Sequence, residues 1–345
     1  MIHKIANKTY NGHGLYRDVS VVLPDNTIRL LYKDNVTPSF TKGTATQISQ
    51  SPNVWDLTYD GGEYHSWTNL LSNHTDLLSI LGANLGNIHS LYYSFSNCTS
   101  LSSVNLFDTH NVITFGGLFQ GCRSLTGVPL FDMTNNTDID KMFLGCNSLV
   151  SVPSFNTSSL SSFYALFDNC TSLKNAPMLD TSNCKMSQWM FRDCYSLTSV
   201  PLYDLSNCND MGQMFSGCSS MSSFPSFNTS SCSSMFGMFD KCTSLEEMPD
   251  LDTSNVIHMG SMFSNCWQLK QIKLYDTSKV VNLNNMFYFD WRVNGGALAF
   301  YQQASTQANP PTGHDYTFYY CGYNTETGSA ELAQIPTTWG GTLVE

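Results

Sequence analysis

The sequence predicts an α/β repeat solenoid of about nine 24-residue turns with short parallel strands, led by a small β segment and closed by a C-terminal cap. Three observations carry that expectation. Eight cysteines, Cys98, Cys122, Cys146, Cys170, Cys194, Cys218, Cys242 and Cys266, follow one another at intervals of 24 residues. A phenylalanine precedes each by three positions, from Phe95 to Phe263, and Leu or Met follows each by three, from Leu101 to Leu269. Six positions after the cysteine stands Val, Ala, Phe, Met or Ile, and in six of the eight turns a proline follows directly, from Pro129 to Pro249. A fixed period of this kind outranks other signals, because each unit buries its apolar face only against its neighbours.

The repeat supplies the middle of the chain, and its flanks supply the ends. Residues 1–54 lie outside the period. Val19–Leu23 and Thr27–Tyr32 read as strands around a turn at Pro24-Asp25-Asn26, while Val36 to Pro52 is polar and reads as loop. Residues 55–290 read as the array, with His74 and Asp290 standing where its first and last copies would carry the cysteine. Residues 291–345 read as a cap, with helix-favouring composition over Ala297–Ala304, a Pro- and Gly-containing connection over Gln307–His314 and a short helix over Ser329–Gln334. Within the cap, Phe318-Tyr319-Tyr320-Cys321 repeats the Phe-x-x-Cys spacing.

Composition excludes several functions. The 345 residues include 27 acids against 16 bases, for a formal net charge of −11. That balance argues against nucleic acid as a partner and against an anionic membrane. No apolar run reaches spanning length, which predicts no membrane insertion. Met1 to Lys8 carries no hydrophobic stretch, so no secretory leader is expected. Charged residues are only 12 %, and Ser, Thr and Asn are abundant.

Each recurring polar residue has a structural reading beside a chemical one. Metal sites need converging ligands, commonly cysteine pairs two to four residues apart, and no such pair occurs. The spacing instead predicts one buried thiol per turn, with disulfides or metal as the alternative. Asp108, Asp132, Asp180, Asp204, Asp252 and Asp276 open Asp-Thr-Ser-Asn-like segments. They read as Asx turns or helix caps, with a calcium ladder as the alternative. No metalloprotease helix, phosphate loop or nucleophile elbow occurs, so no catalytic residue and no cofactor is expected.

Recognition is the better-supported reading. The positions four and five after each cysteine vary freely and should point outward, among them Lys174, Asn175, Glu246, Glu247, Lys270 and Gln271. Tyr92, Tyr93, Tyr164, Trp189 and Phe236 put aromatic rings where other turns carry small or polar residues, and rings of this kind stack on sugars. Tyr92, Tyr164 and Phe236 lie 72 residues apart, which fits either an evenly spaced binding row or duplication of a three-turn block.

The 24-residue unit falls in the size range of leucine-rich repeats, and its motif resembles the BspA-like leucine-rich repeats, the group with the lipoprotein 25-residue repeat. The resemblance covers residues 67 to 290. It implies adhesion and recognition on a bacterial surface. The flanks Asn53–Leu57 and Ala299–Ala304 are also similar to repeat proteins encoded by viruses of gut bacteria. Taken together these features predict a non-enzymatic bacteriophage virion fibre or appendage protein. It would bind a host-surface glycan or protein through the array, attach to other virion proteins through its N-terminal segment and possess a capacity for homo-oligomer formation. A bacterial cell-surface adhesin, a structural virion component without receptor binding and an intracellular scaffold are the alternatives.

Overall fold

In the computed structural model, which describes residues 6–11, 15–20 and 22–341, strand β1 (Ala6–Asn11) pairs antiparallel with β2 (Leu15–Ser20), Ala6 opposite Ser20. The expected strand Val19–Leu23 is shifted upstream: β2 stops at Ser20, Val21 lies outside the described residues, and Val22 and Leu23 are not in a strand. Leu23 is instead a buried plug whose carbonyl accepts the Asn84 side-chain amide at 2.9 Å. Thr27–Tyr32 is strand β3, as its alternation predicts, with Ile28, Leu30 and Tyr32 buried.

The expected loop from Val36 to Pro52 contains β4 (Thr44–Gln50), which pairs with β5 (Asn53–Thr58). No residue of β4 is fully buried. A polar edge strand of this kind resists further pairing and shows no apolar alternation in the sequence. With β6 (Leu77–Asn84) and β7 (Ser103–Val104), these strands form one sheet in the order β4-β5-β3-β6-β7, antiparallel except for β6–β7. Opposite each other on β3 and β5, Arg29 and Asp56 form a two-pronged ion pair with both contacts at 2.6 Å.

The described residues make two compact units. One reaches to Leu160 and includes Pro177–Leu179; the other comprises Ser161–Ala176 and Asp180 onward.

The α/β leucine-rich-repeat solenoid of nine turns is not what the chain forms. Between Asn105 and Gly296 the backbone contains no helix and no strand, only turns, bends and isolated bridges. The seven strands end by Val104, and the two α-helices, α1 (Ala297–Thr306) and α2 (Glu326–Leu332), come after that stretch. Helix α1 matches the expected span, whereas α2 begins three residues before it. The physical reason lies in the backbone. The residues five and one before each ladder cysteine are left-handed, as at Tyr93 and Asn97 (φ 54° and 58°) or Gln213 and Gly217 (φ 52° and 77°). Neither strand nor helix accommodates such residues twice in five positions.

The 24-residue period is nevertheless built into the hydrogen bonding of each unit. In the first, isolated parallel bridges link Ser66, Ser90, Thr114 and Asp138; in the second they run from Ser162 through Met186, Asp210, Ser234, His258 and Asn282 to Gly313. Alternate N–H groups donate forward to the carbonyl 23 residues on, as from Leu91, Tyr93, Phe95 and Asn97 to Thr114, Gly116, Leu118 and Gln120. The N–H groups between them donate three residues back, as from Ser94, Ser96 and Cys98. Side chains add stitches. Thr109, Thr229 and Thr253 hydroxyls donate to the carbonyl 23 residues on at 2.8–2.9 Å. The Asn135, Asn207 and Asn255 amides donate 25 residues back at 2.8–2.9 Å. These bonds give the recurring Thr and Asn a structural use.

The interior is a row of phenylalanines and thiols. In the second unit Phe191, Phe215, Phe239 and Phe263 stack with ring centroids 5.4–5.9 Å apart and planes within 11°. Such pairs add about 0.5–1.5 kcal/mol each beyond their burial. Within the units the ladder thiols donate to the carbonyl 27 residues before them: Cys98 to Leu71 at 3.1 Å, Cys122 to Phe95 at 3.0 Å, Cys218 to Phe191 and Cys242 to Phe215 at 3.2 Å. All twelve cysteines are buried and free, and burial pushes the Cys122, Cys218 and Cys242 thiols above their ordinary range. Phe-x-x-Cys therefore repeats because the thiol satisfies a buried carbonyl that the turn leaves with spare capacity.

Candidate recognition surface

The acidic row forms turns. Asp108, Asp132, Asp180, Asp204, Asp252 and Asp276 each accept the backbone N–H two residues on at 2.8–3.0 Å. Asn156 and Asn228 do the same at 3.3 and 3.2 Å. Hydrogen bonds from the Ser182 and Ser206 hydroxyls, joined by their N–H groups, hold the Asp180 and Asp204 carboxyls below the usual range.

The positions four and five after the cysteine are exposed at Lys174, Asn175, Glu246, Glu247, Lys270 and Gln271. They do not lie on strands, contrary to expectation; the Asn175–Ser199 bridge is the local remnant of one. Two of them meet: the Lys270 ammonium donates to the Glu246 carboxylate one turn away, which holds that carboxyl below its ordinary value.

The aromatic residues divide between the units. In the first, Tyr92 and Tyr93 meet edge to face at 4.5 Å. Their rings rest on glycines of the following turn. A Cβ on Gly116 would come within 2.9 Å of the Tyr92 ring, and one on Gly117 within 2.6 Å of the Tyr93 ring. In the second unit Tyr164 lies 5.3 Å from Trp189. The Arg192 guanidinium covers Trp189 at 4.1 Å from its centroid while gripping buried Asp168 at 3.0 and 2.6 Å, and the Trp189 indole donates to Gln213 at 2.8 Å. Phe236 is 43 % exposed above Gly260. Tyr93 and Trp189 are themselves left-handed (φ 54° and 62°). These rings thus have packing partners that the sequence did not disclose.

A larger aromatic surface in the second unit was not anticipated. Trp267, Tyr288, Phe289, Trp291, Tyr316, Tyr319, Tyr320 and Tyr323 form one connected cluster, with neighbouring centroids 4.5 to 6.3 Å apart. Trp267, Tyr316, Tyr320 and Tyr323 are exposed. The turn carrying Tyr316–Tyr320 follows a longer connection containing α1. Its ladder resumes regardless, with Asn285 and Phe289 donating to Asp315 and Tyr319 at 2.9 and 2.8 Å. The signal available in the sequence was density: five aromatics in the eight residues 316–323.

Among the described residues no helix is long and apolar enough to cross a membrane, and no group of three or more His, Cys, Asp or Glu side chains gathers as a metal site would.

A search of the curated proteins finds no match. A family model described as "Mycoplasma protein of unknown function, DUF285" matches residues 87–200 and again residues 184–300. The double match spans the stretch where the 24-residue units recur, and supports the BspA-like resemblance in its coarser form, a family of repeat domains. With well over half of its length matched, the chain belongs to this DUF285 family.

Proposed function

We propose that this is a non-enzymatic recognition protein, a bacteriophage virion fibre or appendage component that binds a host-surface glycan or protein. The observation that carries this reading is the division of labour within each turn. Phe, Cys, Asp, Thr and Asn side chains are committed to interior packing and to bonds between turns, whereas exposed positions change from turn to turn and include clustered aromatics. Tyr and Trp on a rigid support are the side chains best suited to binding, because they offer large contact area for little lost conformational freedom. Attachment to other virion proteins is assigned to the N-terminal segment, and reduced buried thiols suit a chain made in a reducing cytoplasm. A second reading, a bacterial cell-surface adhesin, is favoured by the Mycoplasma description of the family.

Labelled full-length protein incubated with intact cells of many bacterial strains tests the recognition claim. Saturable binding to some strains and not others is expected. Absence of binding to every strain would contradict it and leave a structural component as the better reading.

A further inference from the structure

Resting on that recognition reading, we propose that the aromatic surface running from Trp267 to Tyr323 is a binding platform for an extended, uncharged glycan. Three features of the surface support this.

The first is spacing. Trp267, Trp291, Phe289, Tyr320 and Tyr323 follow one another in steps of 5.6, 6.3, 5.0 and 5.3 Å, each about the length of one pyranose unit. The C–H face of a pyranose is apolar and its rim is hydroxylated. Trp267 with Trp291 and Phe289 with Tyr320 are tilted by only 37° and 36°, so each pair offers faces to a sugar. The steps from Trp291 to Phe289 and from Tyr320 to Tyr323 turn edge to face, and the tyrosines add phenol hydroxyls for the rims.

The second is backbone strain accepted for the sake of rings. The position one before the ladder cysteine is left-handed in every turn, and it is Asn at Asn73, Asn97, Asn169 and Asn265, Gly at Gly121, Gly145 and Gly217, Asp at Asp193 and Lys at Lys241. Asn, Asp and Gly suit the conformation. At Phe289 and Tyr320 the same position (φ 62° and 56°) holds bulky aromatics, as in no other turn. Folding alone is better served by Asn at these sites, and strain kept against that preference points to a use.

The third is charge. The eight side chains are all Trp, Phe or Tyr, and the protein carries a formal net charge of −11. Acidic polysaccharides meet a net-negative molecule, while a neutral glycan meets no such repulsion.

The test uses full-length protein and its Tyr320→Asn and Tyr316→Asn variants, which install the residue found at equivalent positions elsewhere. Binding is measured to cells of a strain that the protein recognises, left intact, treated with protease, or oxidised with periodate, which cleaves sugar diols. The expected result is binding that survives protease, disappears after periodate and weakens at least tenfold in the variants, whose unfolding midpoints are not lowered. Binding that is lost to protease and not to periodate overturns the glycan in favour of a protein receptor. Strain-selective binding unchanged in both variants overturns the platform and leaves the recognition reading standing. Failure to bind any strain removes both.

Discussion

His74 and Asp290 occupy the same place in their turns, the place where the ladder cysteine belongs, yet the two regions absorb the change differently. In the first unit the His74 imidazole takes a partner from the N-terminal sheet: Tyr32 on β3 meets its Nδ1 at 2.6 Å, and Phe40 stacks on the ring at 5.7 Å. Burial holds this imidazole below its ordinary pKa, so it sits neutral within that contact. In the second unit Asp290 is fully buried. Its Oδ1 accepts the Cys266 N–H at 2.7 Å, while its Oδ2 has no partner, and burial holds the carboxyl far above its usual range as a neutral acid. The difference teaches that the ladder position asks for a small group able to satisfy its surroundings without charge. A thiol does so unaided; an imidazole needs a neighbouring hydroxyl, and a carboxyl must keep its proton.

The sharpest way to break the comparison is to place a carboxyl where nothing has adapted to it. Cys218 donates to the Phe191 carbonyl at 3.2 Å inside the phenylalanine row. Cys218→Asp is expected to cost about 3 kcal/mol or more in denaturant-induced unfolding, because the buried acid loses the thiol's fit and gains an unmet polar group. A cost under about 1 kcal/mol would mean that any turn tolerates the exchange. Next in size, Tyr32→Phe strips His74 of its partner and should lower stability by about 1–3 kcal/mol. Combined with His74→Cys, the same change should cost distinctly less, which a double-mutant cycle reads directly. Smallest, when read near pH 4 where ionisation of the unfolded chain contributes little, Asp290→Cys restores the thiol and removes the unmet Oδ2, and should raise stability by about 1 kcal/mol.

Much of this arrangement was legible before the fold was known, and the illegible parts have physical reasons. Repetition alone exposed Phe95, Cys98 and Leu101 and their successors as interior, because a position that recurs every 24 residues with one apolar type has one environment. The Asx turns followed from Asp and Asn standing interchangeably before Thr and Ser. The strands did not follow. Past β7, Leu125 and Leu149 are buried as expected, but an apolar spacing of three says that residues face inward and not which backbone carries them. The left-handed position five before the cysteine is occupied by residues as different as Lys141, Ala165, Trp189 and Gln213, so it leaves no compositional trace. Strand β4 exists through pairing with β5 and not through its own polar sequence. Of the candidate surface, Tyr92, Tyr93, Tyr164, Trp189 and Phe236 were visible as rings in unexpected places, but the glycine seats of Tyr92 and Tyr93 require the register of the next turn. The larger aromatic surface was hidden because the connection through α1 displaces Tyr316–Tyr323 from the 24-residue period.

The account of the ladder position is tested most directly by unfolding midpoints measured from about pH 4 to pH 8 for the unaltered chain, His74→Cys and Asp290→Cys. For His74 the folded pKa is depressed, so the unfolded chain takes up the proton first. Stability is lost as pH falls below about 6.5 toward the folded value. For Asp290 the folded pKa is raised, so the unfolded chain ionises first. Stability is lost as pH climbs above about 4 toward the folded value. His74→Cys should therefore flatten the acid side of the profile, and Asp290→Cys should flatten its rise-in-pH loss. Three parallel profiles would contradict the account, because neither group would then differ in protonation between the folded and unfolded chain.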